Sequence, residues 1–185
     1  MLKKLAYRLM LLSTLILFSS QSTMAKPSVE SDATNGLNSI KALQVHGNVM
    51  TAGLPTKQEF ALLSEAGVTL VVNLIPQDNP NGLANEAQLV KDAGMEYVNI
   101  EVDWQQPLVS DVEQFFDVMQ ANQHNKVLVH CAANYRASAF YYLYLAKYHP
   151  EQADQSVVMA PWGDLQQSLN QYPQWQALID KVQPQ

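Results

Sequence analysis

The middle of the chain reads VLVHCAANYRAS over residues 127–138. The apolar and β-branched run at its start is typical of a strand buried on both faces of a sheet. An Ala- and Tyr-rich helical stretch follows from about Arg136 to Tyr148. Cys131, the only cysteine in the sequence, lies between the two. The stretch therefore predicts a strand–loop–helix unit with a thiol and a guanidinium in its loop.

Three further strands are predicted, at residues 49–52, 69–75 and 96–102. The second of them, TLVVNLI, is a continuous β-branched run that again indicates burial on both faces. Helical patterns alternate with these strands, and this alternation favours right-handed βαβ units. The predicted fold class is α/β, with a mostly parallel central sheet flanked by helices in three α/β/α layers.

Two tetrapeptides have the pattern of a capping box at a helix start. TKQE at residues 56–59 predicts a helix with Phe60 and Leu63 on its inner face. SDVE at residues 110–113 predicts a second helix that continues to about Asn122.

The N-terminus has the layout of a secretory signal peptide. A basic start precedes the apolar run LMLLSTLILF at residues 9–18, and TMA at residues 23–25 is a small-x-small cleavage site. The apolar run is short for a membrane span, which takes roughly 20 residues. We predict a signal peptide at residues 1–25, a polar leader at 26–35 and a single domain at 36–185. An uncleaved membrane anchor is the alternative.

Signal cleavage would place the mature chain in the periplasm or outside the cell. The mature chain has 8 basic and 17 acidic residues, a net charge of −9. Such a surface disfavours nucleic acid and anionic membrane as partners. Any anion site must therefore be local and built from a few well-placed donors.

The loop after the strand at residues 127–130 can form such a site. A turn from a strand end into a helix start directs several backbone N–H groups, and the positive end of the helix, into one concavity. Arg136 adds a fork that fits a tetrahedral oxyanion, and Cys131 at the base is favoured as a thiolate nucleophile. A buried structural thiol is the alternative. The predicted binding residues are Ala132, Ala133, Asn134, Tyr135 and Arg136.

This loop resembles the signature loop of cysteine-dependent phosphatases of the protein tyrosine and dual-specificity type. The matching residues are His130, Cys131, Arg136 and Ser138. The resemblance implies that the cysteine attacks phosphorus, that the arginine holds the phosphoryl oxygens, and that a hydroxyl after the arginine helps the thiolate leave. It also implies a dual-specificity-phosphatase-like fold, a phosphorylated substrate or other small oxyanion as ligand, and no metal or cofactor.

The resemblance spans most of the mature chain, from about His46 to Tyr148. It looks closest to the bacterial phosphatase-like domain of beta-lactamase-hydrolase-like proteins. That group opens with a segment similar to VMTAGLPTKQEFALLSEAGVTLVVNL, which stands at residues 49–74 here.

The loop departs from the common phosphatase pattern. Four residues separate Cys131 from Arg136, where the common pattern has five, and Asn134 stands nearest the usual glycine. Asn is the residue that best replaces Gly in a left-handed backbone conformation. Ser138 follows the arginine by two positions instead of one. The four-residue spacing matches rhodanese-like sulfurtransferases, so sulfur transfer and non-catalytic oxyanion binding remain alternatives.

Asp103 favours phosphoryl transfer over sulfur transfer. It follows the strand at residues 96–102 and lies 28 residues before the cysteine. In dual-specificity-type phosphatases a similar Asp protonates the leaving alkoxide, a step that phosphate monoester chemistry needs and sulfur transfer does not. Glu101, Asp78 and Asp164 are weaker candidates for this general acid.

Three residues are expected to support the loop: His130, Asn134 and Ser138. The histidine is expected to orient the loop through a hydrogen bond and not to act as a base. The other histidines lack the spacing of metal ligands, so no metal site is predicted.

Overall fold

The computed structural model describes residues 36–183 of the chain. The predicted signal peptide, residues 1–25, and the predicted leader, residues 26–35, lie outside the described residues. None of the helices within residues 36–183 combines the length and the apolar composition that crossing a bilayer would take.

Five strands form one sheet in the order β1-β2-β5-β3-β4. The strands β2, β5, β3 and β4 run parallel to one another, and β1 is antiparallel to β2. The prediction of a mostly parallel sheet is therefore confirmed. The bounds are β1 Gln44–His46, β2 Val49–Ala52, β3 Leu70–Asn73, β4 Glu96–Asn99 and β5 Val127–His130.

Seven α-helices and three short 3-10 helices, at Gly36–Ser39, Pro150–Gln152 and Ala160–Trp162, lie within residues 36–183. The α-helices are α1 Lys57–Glu65, α2 Glu86–Asp92, α3 Val109–Ala121, α4 Tyr135–Tyr148, α5 Gln155–Val158, α6 Leu165–Gln171 and α7 Pro173–Val182.

The two faces of the sheet carry two separate cores. Side chains alternate along a strand, so Val71 of β3 and Leu128 of β5 pack with Phe60 of α1 on one face. Their neighbours in the same strands pack on the other face with residues of α3, α4 and α7, among them Phe115 and Phe140. Helices therefore cover both faces, and the predicted three-layer α/β/α fold is confirmed.

One of the two predicted helix starts is confirmed and the other is wrong in register. At α1 the carboxylate of Glu59 accepts a hydrogen bond from the backbone N–H of Thr56 at 2.8 Å, as in a capping box. At α3 the returning carboxylate is that of Asp111, which accepts from the N–H of Leu108 at 3.1 Å. The helix begins earlier than SDVE predicted because Asp111, and not Glu113, occupies the third helical position.

Candidate active site

Cys131 directly follows β5 at the carboxyl edge of the sheet, and only 2% of the residue is exposed. Its backbone N–H donates to the carbonyl of Ala52, the last residue of β2, at 3.2 Å. The next residues stay attached to the same segment, because Gly53 and Ala133 form an antiparallel bridge. The loop is therefore fixed to the end of the neighbouring strand and leads straight into α4.

Asn134 makes the turn from the loop into α4. Its φ of 65° is the left-handed conformation expected at the position of the missing glycine. The side chain is fully buried, and its Nδ2 donates to the carbonyl of Ala42 at 2.8 Å and to Oγ1 of Thr51 at 3.1 Å. The side chain thus ties the loop to two segments that precede it by more than 80 residues in the chain.

Arg136 lies in the first turn of α4 and is 6% exposed. Its guanidinium carbon lies 5.9 Å from the centre of the Trp104 ring. Burial lowers the pKa of Arg136, and the charges of Cys131 and Asp103 oppose this by raising it. The pKa of Arg136 therefore responds to both of the other residues proposed for the chemistry.

A cavity of about 180 Å³ opens over the thiol. Arg136 closes one side, and the rings of Trp104 and Tyr135 lie 6.0 Å apart at another. The lining residues are Trp104, Cys131, Ala132, Ala133, Tyr135 and Arg136. Four of the five binding residues predicted from the sequence line this cavity. The fifth, Asn134, does not, because its side chain points into the fold.

Asp103 directly precedes the cavity residue Trp104 on the exposed loop that follows β4, where its Oδ1 accepts from the N–H of Gln105 at 2.7 Å. The next residue, Trp104, anchors that loop to α7. Its carbonyl accepts from Nε1 of Trp175 at 3.1 Å and from Nε2 of Gln174 at 3.2 Å. The loop that carries Asp103 is thus held by the last helix of the described chain.

The other carboxylates considered for the same role are placed differently. Asp164 caps α6, where its Oδ1 accepts from the N–H of Gln167 at 2.9 Å. Glu101 and Asp78 are exposed. Of these candidates, Asp103 is the one whose charge acts on Arg136.

An aromatic cluster packs behind Trp104 and Tyr135, the two rings that line the cavity. Tyr135 stacks on Trp162 with centroids 4.9 Å apart, and Trp104 packs against both Trp162 and Trp175. The indole N–H of Trp162 also donates to the carbonyl of Tyr135 at 3.0 Å. These contacts hold the loop after β4 and the loop after β5 in a fixed relation to each other.

His130 is completely buried behind the loop, and its partner was not predicted from the sequence. Its Nε2 lies 2.7 Å from Oε1 of Glu86, the first residue of α2. The second oxygen of Glu86 accepts from Nδ2 of Asn73, the last residue of β3, at 3.2 Å. His130 thus bonds to a buried carboxylate of α2 and not to an atom of the Cys131 loop, and its predicted part in orienting the loop stays a prediction.

Ser138 lies in the first turns of α4 and does not line the cavity. Its Oγ donates to the carbonyl of Asn134 at 2.6 Å and to that of Tyr135 at 3.2 Å. These bonds fix the backbone at the start of the helix. The predicted part of Ser138 in loop support stays a prediction.

The model of one protein family, described as a polymorphic toxin system DSP-PTPase phosphatase, matches residues 47–146. The chain belongs to the DSP-PTPase phosphatases. This phosphatase is 46% identical in sequence to a DUF442 protein of Shewanella putrefaciens CN-32 proposed to be a phosphatase. The two structures superpose with a TM-score of 0.74. The alignment covers 80% of this chain and 92% of that one.

More distant phosphatases share the fold. Tk-PTP is 14% identical with a TM-score of 0.59, over 76% of this chain and 95% of its own. Pseudomonas aeruginosa TpbA in complex with pTyr is 16% identical with a TM-score of 0.52, over 76% of this chain and 94% of its own. No curated protein matches the chain. The dual-specificity-type fold and the cysteine-dependent, protein tyrosine phosphatase-like class of hydrolase predicted from the sequence are confirmed.

No group of three or more His, Cys, Asp or Glu residues within residues 36–183 is arranged to hold a metal ion. The groups at the cavity are a thiol, a guanidinium, a nearby carboxylate and the start of a helix. This set suits binding of an oxyanion and attack on it by sulfur.

Proposed function

We propose that this phosphatase is exported and hydrolyses a phosphate monoester through a phosphocysteine intermediate, with Cys131 as nucleophile. The observation that carries the proposal is the cavity in which the sulfur lies beneath a space bordered by Arg136 and by the start of α4. A phosphoryl group in this space meets the guanidinium, the positive end of the helix and the nucleophile together.

The reaction takes place in two steps. The Cys131 thiolate forms a bond to phosphorus while the bond to the ester oxygen breaks, and Asp103 gives its proton to that oxygen. Asp103, now a carboxylate, takes a proton from a water molecule, which attacks phosphorus and releases phosphate and the thiolate. Arg136 holds the phosphoryl oxygens in both steps.

An aryl phosphate is a suitable first substrate. TpbA was crystallised in complex with pTyr, and in the present chain Trp104 and Tyr135 line the cavity. These rings offer flat apolar surfaces on which an aromatic leaving group can pack.

Asp103→Asn tests the general acid. Leaving-group protonation contributes about 10²–10⁴-fold, so we expect a decrease of that size in kcat/KM for an alkyl phosphate. An aryl phosphate with an acidic leaving group should lose much less, since its oxygen needs little help from a proton. Asp78→Asn, at an exposed Asp of another loop, is the matched control. Equal losses on both esters would refute the assignment of Asp103.

Cys131→Ser tests the nucleophile. We expect it to remove hydrolysis of both esters and to leave phosphate binding, measured by calorimetry, largely unchanged. Assay of the native protein with thiosulfate and cyanide covers the alternative chemistry. A cyanide-labile sulfur on Cys131 without ester hydrolysis would support sulfur transfer, and phosphate binding without turnover of either kind would support a binding module.

Export rests on the sequence of residues 1–25. We expect the protein recovered from the periplasm or the medium to begin at Lys26, which mass spectrometry of the intact chain would report. Recovery of an intact chain starting at Met1 from the membrane fraction would contradict cleavage.

A further inference from the structure

A buried carboxylate stands directly behind the nucleophile loop. Glu86 is 4% exposed and His130 is fully buried, and the two residues are 44 positions apart in the chain. An isolated buried carboxylate is costly, so its hydrogen-bond partners determine what it does.

The hydrogen bonds around Glu86 fix the orientation of its carboxyl group. The side-chain amide of Asn73 is fixed in orientation because its Oδ1 accepts from the N–H of Ile75 at 2.8 Å. Its Nδ2 must therefore face Oε2 of Glu86 as a donor. The other oxygen, Oε1, faces Nε2 of His130 at 2.7 Å. Both oxygens of Glu86 therefore have a polar partner, one on β3 and one on β5.

The contact with Glu86 in turn fixes the ring of His130. Among the described residues Glu86 is the hydrogen-bond partner of the ring, because Nδ1 of His130 is buried without one. The ring therefore cannot turn over without losing this hydrogen bond at a fully buried side chain. His130 is the last residue of β5 and the residue before Cys131, so a fixed ring also fixes the strand end from which the loop starts.

We propose that Glu86 is a positioning residue for the nucleophile: its carboxylate, aligned by Asn73, holds His130 and through it the backbone of the Cys131 loop. This inference rests on the proposed role of Cys131. It predicts that the reactivity of the thiol depends on a carboxylate that touches neither the substrate nor the sulfur.

The test compares Glu86→Gln with Glu59→Gln. Both are buried glutamates in the first turn of a helix, and both accept hydrogen bonds, but Glu59 binds Ser39 and Thr56 at the start of α1. The two variants therefore share the loss of a charge at a helix N-terminus and the loss of buried hydrogen bonds. Thermal unfolding followed by circular dichroism measures how much stability each variant loses.

Two readouts separate positioning from stability. The rate of Cys131 alkylation by iodoacetamide reports a single site, because the chain has no other cysteine. We expect Glu86→Gln to slow alkylation and to lower kcat/KM for an aryl phosphate by about tenfold each, the size of a lost hydrogen bond to a charged group. Glu59→Gln should leave both rates near those of the native protein. Equal rates in the two variants would overturn the proposal.

A double variant, Glu86→Gln with His130→Gln, tests whether the two residues act as one unit. We expect it to be no slower in alkylation than the slower single variant, since either change alone already removes the bond. Losses that multiply would show that Glu86 acts independently of His130 and would overturn the proposal. Alkylation needs no turnover, so it still tests Glu86 if the native protein lacks Cys131-dependent hydrolysis, in which case the proposed function fails and not this inference.

Discussion

At the scale of single residues, Asn134 combines two tasks that usually fall to different residues. Its backbone adopts the left-handed conformation with a φ of 65°, which a glycine adopts without cost. Its side chain donates to Ala42 and Thr51, which a glycine cannot do. The absence of the family's usual loop glycine is therefore compensated by a residue that also attaches the loop to the fold.

Replacing Asn134 by Ala and by Gly separates these two tasks. Asn134→Ala loses the buried hydrogen bonds and puts a Cβ in a strained conformation, so we expect it to lower the free energy of unfolding by about 2–4 kcal/mol. Asn134→Gly loses the hydrogen bonds alone and should be more stable than Asn134→Ala by about 1 kcal/mol. Urea unfolding followed by far-ultraviolet circular dichroism measures both, and equal losses would contradict the role of the backbone conformation.

The sequence reveals only part of the site at this scale. Cys131, Asn134 and Arg136 lie within six residues of one another, so their relation can be read directly from the spacing. Glu86 looks like an ordinary acidic residue in a first helical turn, a position that the helix dipole favours. It meets the site only because β3 and β5 are paired with Asn73 opposite His130. That pairing depends on tertiary packing, which no short motif encodes.

At the scale of elements, α7 determines where the Asp103 loop lies. Both donors to the carbonyl of Trp104, the indole of Trp175 and the amide of Gln174, come from the first turn of this helix. The loop is therefore held by hydrogen bonds from a helix that lies more than 70 residues further along the chain. The position of the proposed general acid thus depends on an element remote in sequence.

Removing both donors should loosen the Asp103 loop. The variant combines Gln174→Ala with Trp175→Phe, which keeps an aromatic ring in the core. We expect kcat/KM for an alkyl phosphate to fall about tenfold, because two hydrogen bonds of about 1 kcal/mol each are lost. The loss on an aryl phosphate should be smaller, because that ester depends less on the acid. Gln176→Ala, whose amide binds Asp180 on the exposed side of α7, is the control. A loss that is the same for the two esters would contradict a link between α7 and Asp103.

The elements themselves were predicted where local chemistry determines them. The β-branched runs gave β3 and β5, and the pattern TKQE gave the start of α1. The strand β1 was not predicted, although Gly47 and Asn48, between β1 and β2, are a pair typical of a two-residue hairpin. The strand has only three residues and is paired on one side, so its own sequence carries almost no periodic signal.

At the scale of the whole molecule, α4 joins the site to the larger core. The helix begins at the nucleophile loop, and its residues from Arg136 to Leu145 are all buried. Phe140 is completely buried and meets Phe115 of α3 edge to face at 5.7 Å and Trp175 of α7 at 6.1 Å. The packing that stabilises the fold therefore also holds the helix whose N-terminus borders the cavity.

Phe140→Ala and Tyr148→Ala compare two aromatic residues of this helix. We expect Phe140→Ala to lower the free energy of unfolding by about 3–5 kcal/mol, as large cavities in a core do. Tyr148 is 38% exposed at the end of the helix, and its loss should cost about 1 kcal/mol or less. Urea unfolding of both variants measures the difference, and similar losses would show that the core does not depend on this face of α4.

The aromatic cluster behind the cavity also gives the protein an intrinsic fluorescent probe of the site. The sequence has three tryptophans, and Trp104, Trp162 and Trp175 all belong to that cluster. The centres of their rings lie within 6 Å of one another, so excitation energy absorbed by any of them is shared by the group. The guanidinium carbon of Arg136 lies 5.9 Å from the centre of the Trp104 ring. The entire tryptophan fluorescence of the protein therefore comes from one cluster, and Trp104 of that cluster lines the cavity. An oxyanion that reaches Arg136 should change this emission directly, so that ligand occupancy can be titrated without a label and without turnover.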